Sequence, residues 1–260
     1  MTSGRDRPEG MCGAQREREE RPLRVGIFGG TFDPIHLGHL LIAEQVMDEM
    51  RLSEVIFVPS GIPPHKAASS VRASAEDRYR MVLAAVEGNP RFSVDRVEVE
   101  AGRAMHTVET VPLLKERHEG DEWFFITGAD EVSNLLTWRE PDRLLEQVVM
   151  VAATRPGYDL SKLDHLEKEL RNFDRIFPVE CSRLDISATN IRRRVLQGKS
   201  IRYMVPDGVY RFITRKKLYS GELHPETTGT ERTRERESLN GIDGNPEGAQ
   251  SVKRTQERRA

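Results

Sequence analysis

The sequence lacks the features that mark secreted, membrane-spanning and disulfide-bonded proteins. It contains two cysteines, Cys12 and Cys181, too few for a disulfide framework or for a zinc site made of cysteines alone. No apolar run is long enough for a transmembrane helix, so we predict no membrane partner. The N-terminal residues have no apolar segment typical of a secretory signal, which predicts a protein of the reducing cytoplasm.

The chain also lacks a net charge of either sign. It carries 40 Lys and Arg residues against 42 Asp and Glu, and its formal charge is −2. A protein that binds nucleic acid generally is expected to carry a basic excess, so we predict no nucleic-acid partner. A local phosphate site stays compatible with this balance, because a few well-placed donors can hold one phosphate.

Both ends of the chain lack aromatic residues. Residues 1–21 and 220–260 contain no Phe, Trp or Tyr and mix basic with acidic side chains. Such segments bury too little apolar surface to offset the entropy of ordering, so we predict two disordered tails. A solvated end is favoured over a nucleic-acid arm for the C-terminal tail. One folded domain is then predicted over residues 22–219, long enough for a substantial core.

What remains between the tails alternates short apolar strands with helical patterns. This alternation predicts an α/β fold with a parallel sheet and helices on both faces, with a ligand site beyond the carboxyl ends of the strands. We predict strands over 23–28, 55–58, 92–99, 123–127, 148–153 and 175–179, and helices over 37–50, 75–86, 107–117, 160–172, 189–196 and 207–216. The loops that would form the site follow Phe28, Val58, Thr127 and Ala153.

The first of these loops holds two glycines and two histidines. Gly29 and Gly30 let the backbone approach a ligand closely. His36 and His39 are three residues apart at a helix start, so they can share one face and donate hydrogen bonds to phosphate oxygens. Two other interpretations are open: a metal pair, which lacks an evident third ligand, and a pair of helix caps. We predict no metal site made by the protein alone.

The string GGTFDPIHLGHL at Gly29–Leu40 resembles the signature of the nicotinate-nucleotide adenylyltransferases, a family of the H-x-G-H nucleotidyltransferase superfamily. Four further segments are similar to that family's other motifs and occur in the same order. They are Val58-Pro59 with Pro63–Lys66, Thr127–Asp130 with Trp138, Arg155–Tyr158, and Ile186–Arg192. The resemblance covers about residues 23–219 and implies a Rossmann-like fold.

The resemblance also implies a reaction. Members of the family join ATP to nicotinate mononucleotide, need Mg²⁺ and form no covalent enzyme intermediate. ATP and the mononucleotide are therefore the expected partners, and Mg²⁺ the expected cofactor. Reactions of this type depend mainly on positioning and on electrostatic stabilisation, which is consistent with a mechanism that forms no covalent intermediate.

By resemblance, His36 and His39 bracket the ATP phosphates and stabilise the transition state. The residues that the resemblance assigns to ATP are Gly29, Gly30, Thr31, Phe32, Gly128, Asp130, Arg155, Ile186, Ser187, Thr189 and Arg192. Ser187 begins a helix whose N–H groups can bind phosphate, although a serine at that position normally caps its own helix.

By resemblance, the residues expected at the mononucleotide are Asp33, His65, Lys66, Thr107 and Trp138. Asp33 could instead tie its own loop through local side-chain bonds before Pro34, and Lys66 could be a loose surface residue. Trp138 offers a flat face for a pyridine ring, which we favour over a role in the core, whereas Trp123 is predicted to be a core residue.

One stretch departs from the family pattern. Met105-His106-Thr107 stands where the family has Ser-Tyr-Thr. The family contacts the nicotinate carboxylate there largely through backbone N–H groups, which survive a change of side chain. The resemblance therefore still implies the acid substrate.

Two other functions are compatible with the sequence. One is a related transferase that acts on phosphopantetheine or another phosphate, and the proline-rich Pro63–Lys66 segment and the position of Trp138 argue against it. The other is a nucleotide sensor without catalysis. A role on RNA is not expected, because the chain has neither a basic excess nor an anticodon-binding domain. Association into a homo-oligomer is left open.

Overall fold

The computed structural model describes residues 22–63, 70–182 and 184–221. The predicted tails lie outside the described residues, apart from Ser220 and Gly221, and so do His65 and Lys66. Within these described ranges, no helix is both long and apolar enough to cross a membrane.

The centre of the fold is a sheet of six parallel strands in the order β3-β2-β1-β4-β5-β6. The strands are β1 Arg24–Gly30, β2 Glu54–Pro59, β3 Phe92–Val94, β4 Glu122–Gly128, β5 Val149–Thr154 and β6 Ile176–Glu180. The chain winds outward from β1 to β3 and then returns to lay β4 on the other side of β1. The strand order therefore reverses between β1 and β4, and the crevice at their carboxyl ends is where such sheets bind ligands.

Helices cover the sheet on both sides. They are α1 Leu37–Glu49, α2 Ala75–Val86, α3 Val97–Glu100, α4 Thr107–Arg117, α5 Ala129–Val132, α6 Pro141–Gln147, α7 Asp164–Glu169, α8 Ala188–Leu196 and α9 Asp207–Lys216. Short 3₁₀ turns occur at Leu135–Thr137, Leu160–Leu163 and Phe173–Arg175.

Alternate residues of each strand point to opposite faces and so build two separate apolar layers. On β1, Phe28 packs with α1, α2, α8 and α9, whereas the adjacent Ile27 packs with α3 to α7. On β4, Phe124 joins the first layer and Trp123 the second, where Trp123 is 6% exposed. The predicted parallel sheet with helices on both faces is confirmed, as is the core position of Trp123.

A side-chain cap begins α2, and residues with positive φ follow the ends of α2 and α9. The Ser74 hydroxyl accepts a hydrogen bond from the Asp77 N–H at 3.1 Å, and Glu76 and Asp77 place negative charge in the first turn of α2. Gly88, with φ at +93°, lets the chain leave α2 two residues after its end. Lys217 ends α9 in the left-handed region at φ +53°.

The predicted strand over 92–99 is wrong beyond Val94. The Asp95 carboxylate accepts a hydrogen bond from the Val97 N–H at 2.7 Å, which turns the chain out of the sheet and starts α3. Asp95 is held in that position by Arg117 and His118 at the end of α4, at 3.2 and 2.9 Å. These partners are distant in sequence, so the apolar alternation gave no sign of the turn.

The predicted helix over 160–172 is also wrong in part, since only Asp164–Glu169 forms an α-helix. Asp159 accepts from both the N–H and the hydroxyl of Ser161, which fixes a tight turn before it. After it, Leu170 is buried and the Arg171 N–H donates to Asp142 at 2.9 Å instead of continuing the helix. The short helices α3, α5 and α6 were not predicted from the sequence.

Candidate active site

The two histidines of the first loop lie together at the start of α1. His36 is the N-cap residue, and its ring stacks on that of His39 with centroids 3.7 Å apart and planes 25° apart. The His36 N–H donates to Nδ1 of His39 at 3.2 Å, so Nε2 is the nitrogen through which a neutral His39 ring donates. Their spacing was predicted to put them on one face, and the stacked rings confirm it.

Burial keeps His36 uncharged. The residue is 7% exposed, and this desolvation lowers the pKa of His36 to about 4. Two stacked rings of which one stays neutral avoid repulsion between like charges. A neutral His36 ring carries one N–H, so near neutral pH it can donate a hydrogen bond but adds no positive charge.

Two glycines and one residue with positive φ in this loop make room for the histidine rings. A Cβ on Gly38 would lie 3.1 Å from two atoms of the His36 ring. A Cβ on Gly30 would lie 2.9 Å from the ring of Phe32. Phe32 has a φ of +49° and packs edge-on against His39, with centroids 5.2 Å apart. The glycines thus serve the packing of the histidine pair as well as the backbone's approach to a ligand.

Asp33 ties two distant parts of the chain to this loop, residues 72–73 and Tyr219. Its carboxylate is 3% exposed and accepts from the Arg72 N–H at 2.8 Å, the Ala73 N–H at 3.1 Å and the Tyr219 hydroxyl at 2.7 Å. Burial beside this carboxylate raises the pKa of Tyr219 far above its usual value, so the hydroxyl keeps its proton. Asp33 was considered either as a ligand-binding residue or as a residue that fixes its own loop. The structure shows that it fixes the loop, but through partners that are distant in sequence and not through local bonds. A contact between Asp33 and the mononucleotide stays a prediction.

The start of α8 lies beside the start of α1. The Arg192 guanidinium donates to the Asp33 carbonyl at 2.7 Å, and a Cβ on Gly38 would lie 3.9 Å from the Ile186 carbonyl. Ser187 caps α8 by accepting from the Asn190 N–H at 3.2 Å. The structure therefore brings Ile186, Ser187, Thr189 and Arg192 next to the histidine loop, while their contact with phosphate stays a prediction.

Gly128 is the last residue of β4 and Asp130 lies just beyond it, while Arg155 directly follows the neighbouring strand β5. Arg155 donates to Asp130 at 3.0 Å, and both side chains are more than half exposed. Such an exposed ion pair adds little to stability, so both groups are available to a ligand at low cost. Their place at the carboxyl edge of the sheet agrees with the predicted ATP site.

A cavity of about 230 Å³ opens at the carboxyl ends of β1 and β4. Predicted site residues that line it are Gly29, Gly30, Thr31, Thr107 and Trp138. The Trp138 indole is partly exposed and packs edge-to-face on Phe125, with centroids 6.0 Å apart at 89°. One face of the cavity is thus an aromatic surface fixed by the core. His65 and Lys66 follow Pro63, which also lines the cavity, but lie outside the described residues.

Several residues of this cavity were missed in the sequence. They include Ser60, Glu98, Thr110, Phe125, Thr127, Glu131 and Arg139, together with Met105 and His106, which had been noted only as a departure from the family. Glu98 was hidden because 92–99 was taken for one strand. Arg139 directly follows Trp138, so its position next to a predicted ring site was the available signal.

Arg78 joins the two loops that border the cavity. It is 1% exposed, and its two terminal nitrogens donate to the carbonyls of Thr31 and Gly61, each at 2.8 Å. Burial lowers the pKa of Arg78, while the nearby Asp33 carboxylate opposes that shift. An arginine within a helical pattern reads as a surface residue, so nothing in the sequence marked its role.

Glu98 carries an unusual carboxyl on the cavity wall. Burial raises the pKa of Glu98 to about 7, against hydrogen bonds from the Thr110 hydroxyl at 2.8 Å and from the Gly61 backbone and against the charge of Arg78. Throughout the described ranges there is no group of three or more His, Cys, Asp or Glu side chains that could hold a metal ion.

Comparisons with known proteins identify the family of this chain. Residues 27–194 match the family described as cytidylyltransferase-like. A Rubrobacter xylanophilus protein named "Probable nicotinate-nucleotide adenylyltransferase" is 74% identical over 200 residues, which cover 77% of this chain and 94% of the relative. A protein of the same name from Corynebacterium kroppenstedtii is 47% identical over 203 residues, covering 77% and 93%.

Solved structures agree on the fold. Plasmodium falciparum nicotinic acid mononucleotide adenylyltransferase complexed with NaAD has a TM-score of 0.61 at 16% identity, covering 75% of this chain and 97% of that one. The same enzyme complexed with APC has a TM-score of 0.59. These structures confirm the Rossmann-like α/β class. The high identity to the curated relatives shows that the chain belongs to the nicotinate-nucleotide adenylyltransferase family, as its five motifs predict.

Proposed function

We propose that this chain transfers the adenylyl group of ATP to nicotinate mononucleotide, forming nicotinate adenine dinucleotide and pyrophosphate in NAD biosynthesis. The observation that carries the proposal is the adjacency of two features in one crevice. The stacked His36 and His39 rings follow the same Gly29-Gly30 segment that lines the cavity walled by Trp138. The aromatic wall can stack on the pyridine ring of a mononucleotide. The imidazole N–H donors beside it can bind the phosphate of that mononucleotide and the phosphate of ATP that it attacks.

The chemistry needs positioned donors and no nucleophile from the protein. An oxygen of the mononucleotide phosphate attacks the α-phosphorus of ATP and forms a new P–O bond. The bond from that phosphorus to the α–β bridging oxygen breaks, and its electron pair leaves with pyrophosphate. Negative charge that grows on the phosphoryl oxygens is stabilised by N–H donors of His36 and His39. Because the pKa of His36 is about 4, it donates without changing its protonation near neutral pH.

We assign the ATP side of the crevice to the two loops that meet at α1 and α8. The backbone of Gly29 to Phe32 and the start of α8 would hold the triphosphate, with Arg192 already fixed beside them by its bond to Asp33. Gly128, Asp130 and Arg155 would hold the adenosine. Mg²⁺ bound with the triphosphate would neutralise part of its charge, while the two loops would hold the phosphate oxygens that the metal leaves free.

We assign the cavity to the mononucleotide. Trp138 would stack on the pyridine ring, and Thr107 would present the first backbone N–H groups of α4 to the ring carboxylate. His65 and Lys66, which follow Pro63, would bind the phosphate. We further propose that the protein acts in the cytoplasm, where its buried Cys181 stays a thiol.

A substrate panel tests the proposal. The purified chain is incubated with MgATP and, in separate reactions, nicotinate mononucleotide, nicotinamide mononucleotide or phosphopantetheine, and the dinucleotide and pyrophosphate are quantified by chromatography. We expect equal amounts of pyrophosphate and dinucleotide with the acid mononucleotide. His165→Ala is the control that should keep this activity, since His165 is exposed and does not line the cavity. Tight ATP binding without product from any of the three would refute the proposal and favour a sensor.

A further inference from the structure

Glu98 lines the cavity to which we assign the pyridine ring of the mononucleotide. Its side chain lines the same cavity as Trp138 and Thr107, the residues assigned to the ring in the proposed function on which this inference rests. A stacked ring exposes only its edge to the remaining walls, so the polar groups on those walls decide which substituent fits. Glu98 is one of the few ionisable groups among them.

The Glu98 carboxyl is held in a fixed position. The Thr110 hydroxyl donates to it at 2.8 Å from α4, and the backbone of Gly61 donates to it from the loop after β2. A Cβ at Gly61 would collide with the Glu98 carbonyl, so that loop lies directly against α3. Held from two sides, the carboxyl cannot swing away from a ligand without losing these bonds.

The charges around Glu98 leave its proton within reach of neutral pH. Burial raises its pKa to about 7, and the hydrogen bonds from Thr110 and Gly61 together with the charge of Arg78 on α2 oppose this shift only in part. The other ionisable groups that line the cavity are His106 at the start of α4, Glu131 on α5 and Arg139 after Trp138. His106 is the one histidine among these lining residues, so it needs a variant of its own.

We propose that Glu98 is a specificity-determining residue that sets the choice between an acid and an amide on the pyridine ring. Its protonated form donates a hydrogen bond to the ring carboxylate of nicotinate mononucleotide. Its ionised form repels that carboxylate and accepts an N–H of the carboxamide in nicotinamide mononucleotide. The preference for the acid therefore depends on pH, and the cavity takes up a proton when the acid binds.

The ratio of kcat/KM for the acid to kcat/KM for the amide measures this effect directly. Titrations of ATP, of the mononucleotide phosphate and of the histidine pair affect both substrates and cancel in the ratio. Because the acid uses the protonated form of Glu98 and the amide the ionised form, we expect the ratio to fall as pH rises on both sides of the pKa of Glu98, by up to about tenfold per pH unit. Product is quantified for both mononucleotides from about pH 5.5 to about pH 8.5.

Glu98→Gln separates Glu98 from its neighbours. Glutamine keeps the size of the side chain, cannot ionise and still presents an N–H donor, so the variant should keep the acid preference and make the ratio independent of pH. Glu100→Gln is the matched control, since Glu100 lies on the same short helix and pairs with Arg96 and Arg117 on the surface. This control should retain the wild-type fall.

His106→Gln tests whether this neighbouring histidine, and not Glu98, causes the pH dependence of the ratio. If Glu98 carries the effect, the His106 variant keeps the slope of the ratio against pH. A slope that survives in Glu98→Gln but disappears in His106→Gln would overturn the proposal. So would a wild-type ratio that stays flat over the whole range, a result that needs no variant. Absence of product from both mononucleotides would instead refute the proposed function itself.

Discussion

Replacing Arg78 with methionine should destabilise the protein strongly, although Arg78 contacts no residue of the histidine pair. The substitution removes two hydrogen bonds from a charged donor to the carbonyls of Thr31 and Gly61, each at 2.8 Å. Such bonds contribute about 1.5–3 kcal/mol each. It also removes the positive charge between the Asp33 and Glu98 carboxylates. Methionine restores part of the packing, so we expect a net loss of about 3–5 kcal/mol in the free energy of unfolding.

The assay is urea denaturation followed by circular dichroism, with thermal melting as a second measure. For a folded unit of this size the loss corresponds to a fall in Tm of about 10 °C. Arg78→Lys keeps the charge but satisfies one carbonyl, so about half of the loss is expected. Because both tied loops border the cavity, the variants should also raise KM for the mononucleotide.

A matched control lies two residues along the same helix. Arg80 pairs with Glu76 on the surface at 2.8 Å, and its side chain is 53% exposed. Arg80→Met removes the same type of side chain from α2 and should cost about 0.5 kcal/mol or less. Equal stabilities of the Arg78 and Arg80 variants, within about 1 kcal/mol, would refute the reasoning that the buried guanidinium joins the two loops.

We make four further predictions, which concern His39, Trp138, Tyr219 and Glu98. His39→Ala should lower kcat by roughly 100-fold or more with little change in KM, as measured by steady-state kinetics. Trp138→Ala should raise KM for the mononucleotide by about tenfold and leave KM for ATP unchanged. Tyr219→Phe removes the 2.7 Å bond to Asp33 and should lower the free energy of unfolding by about 1–2 kcal/mol in urea denaturation. Because burial raises the pKa of Glu98 from 4.5 to about 7, its native form holds a proton that the unfolded chain has released, so stability should fall as pH rises through this window, and Glu98→Gln should abolish that fall.

Each of these expectations has a result that contradicts it. An unchanged kcat would remove His39 from the transition state. An effect of the Trp138 variant confined to ATP would exclude ring stacking. A Tyr219 variant as stable as the wild type would mean that the tie to Asp33 contributes nothing. Equal pH profiles of unfolding for the wild type and the Glu98 variant would show that this carboxyl is not desolvated in the native protein.

The parts of the site that depend on adjacent residues could be predicted from the sequence. Gly29, His36 and His39 belong to one short segment between the end of a strand and the first turn of a helix, and both boundaries can be recognised in the sequence. The stacking of the two rings follows from their separation by three residues at that helix start. The parallel direction of the strands likewise follows from the alternation of strands with crossover helices, whereas their order in the sheet comes from the structure.

The parts that depend on remote partners could not be predicted. The turn at Asp95 is fixed by Arg117 and His118, and without it Glu98 would belong to a strand instead of the cavity wall. The tie at Asp33 uses groups as distant as Tyr219. A local sequence pattern cannot reveal these contacts, because the partner residues are far apart in the chain and meet only in the folded protein.

The order in which the ribosome makes this chain has a consequence for when the enzyme can work. The middle strand β1 is synthesised first, and its second neighbour β4 leaves the ribosome about a hundred residues later. The Asp33 loop receives its Tyr219 partner only at the very end of the folded unit. A nascent chain therefore carries a complete histidine motif long before it has a complete site, and a fragment that stops before Tyr219 lacks this bond. The unit as a whole, and not its N-terminal half, is the smallest piece that should be expressed for activity.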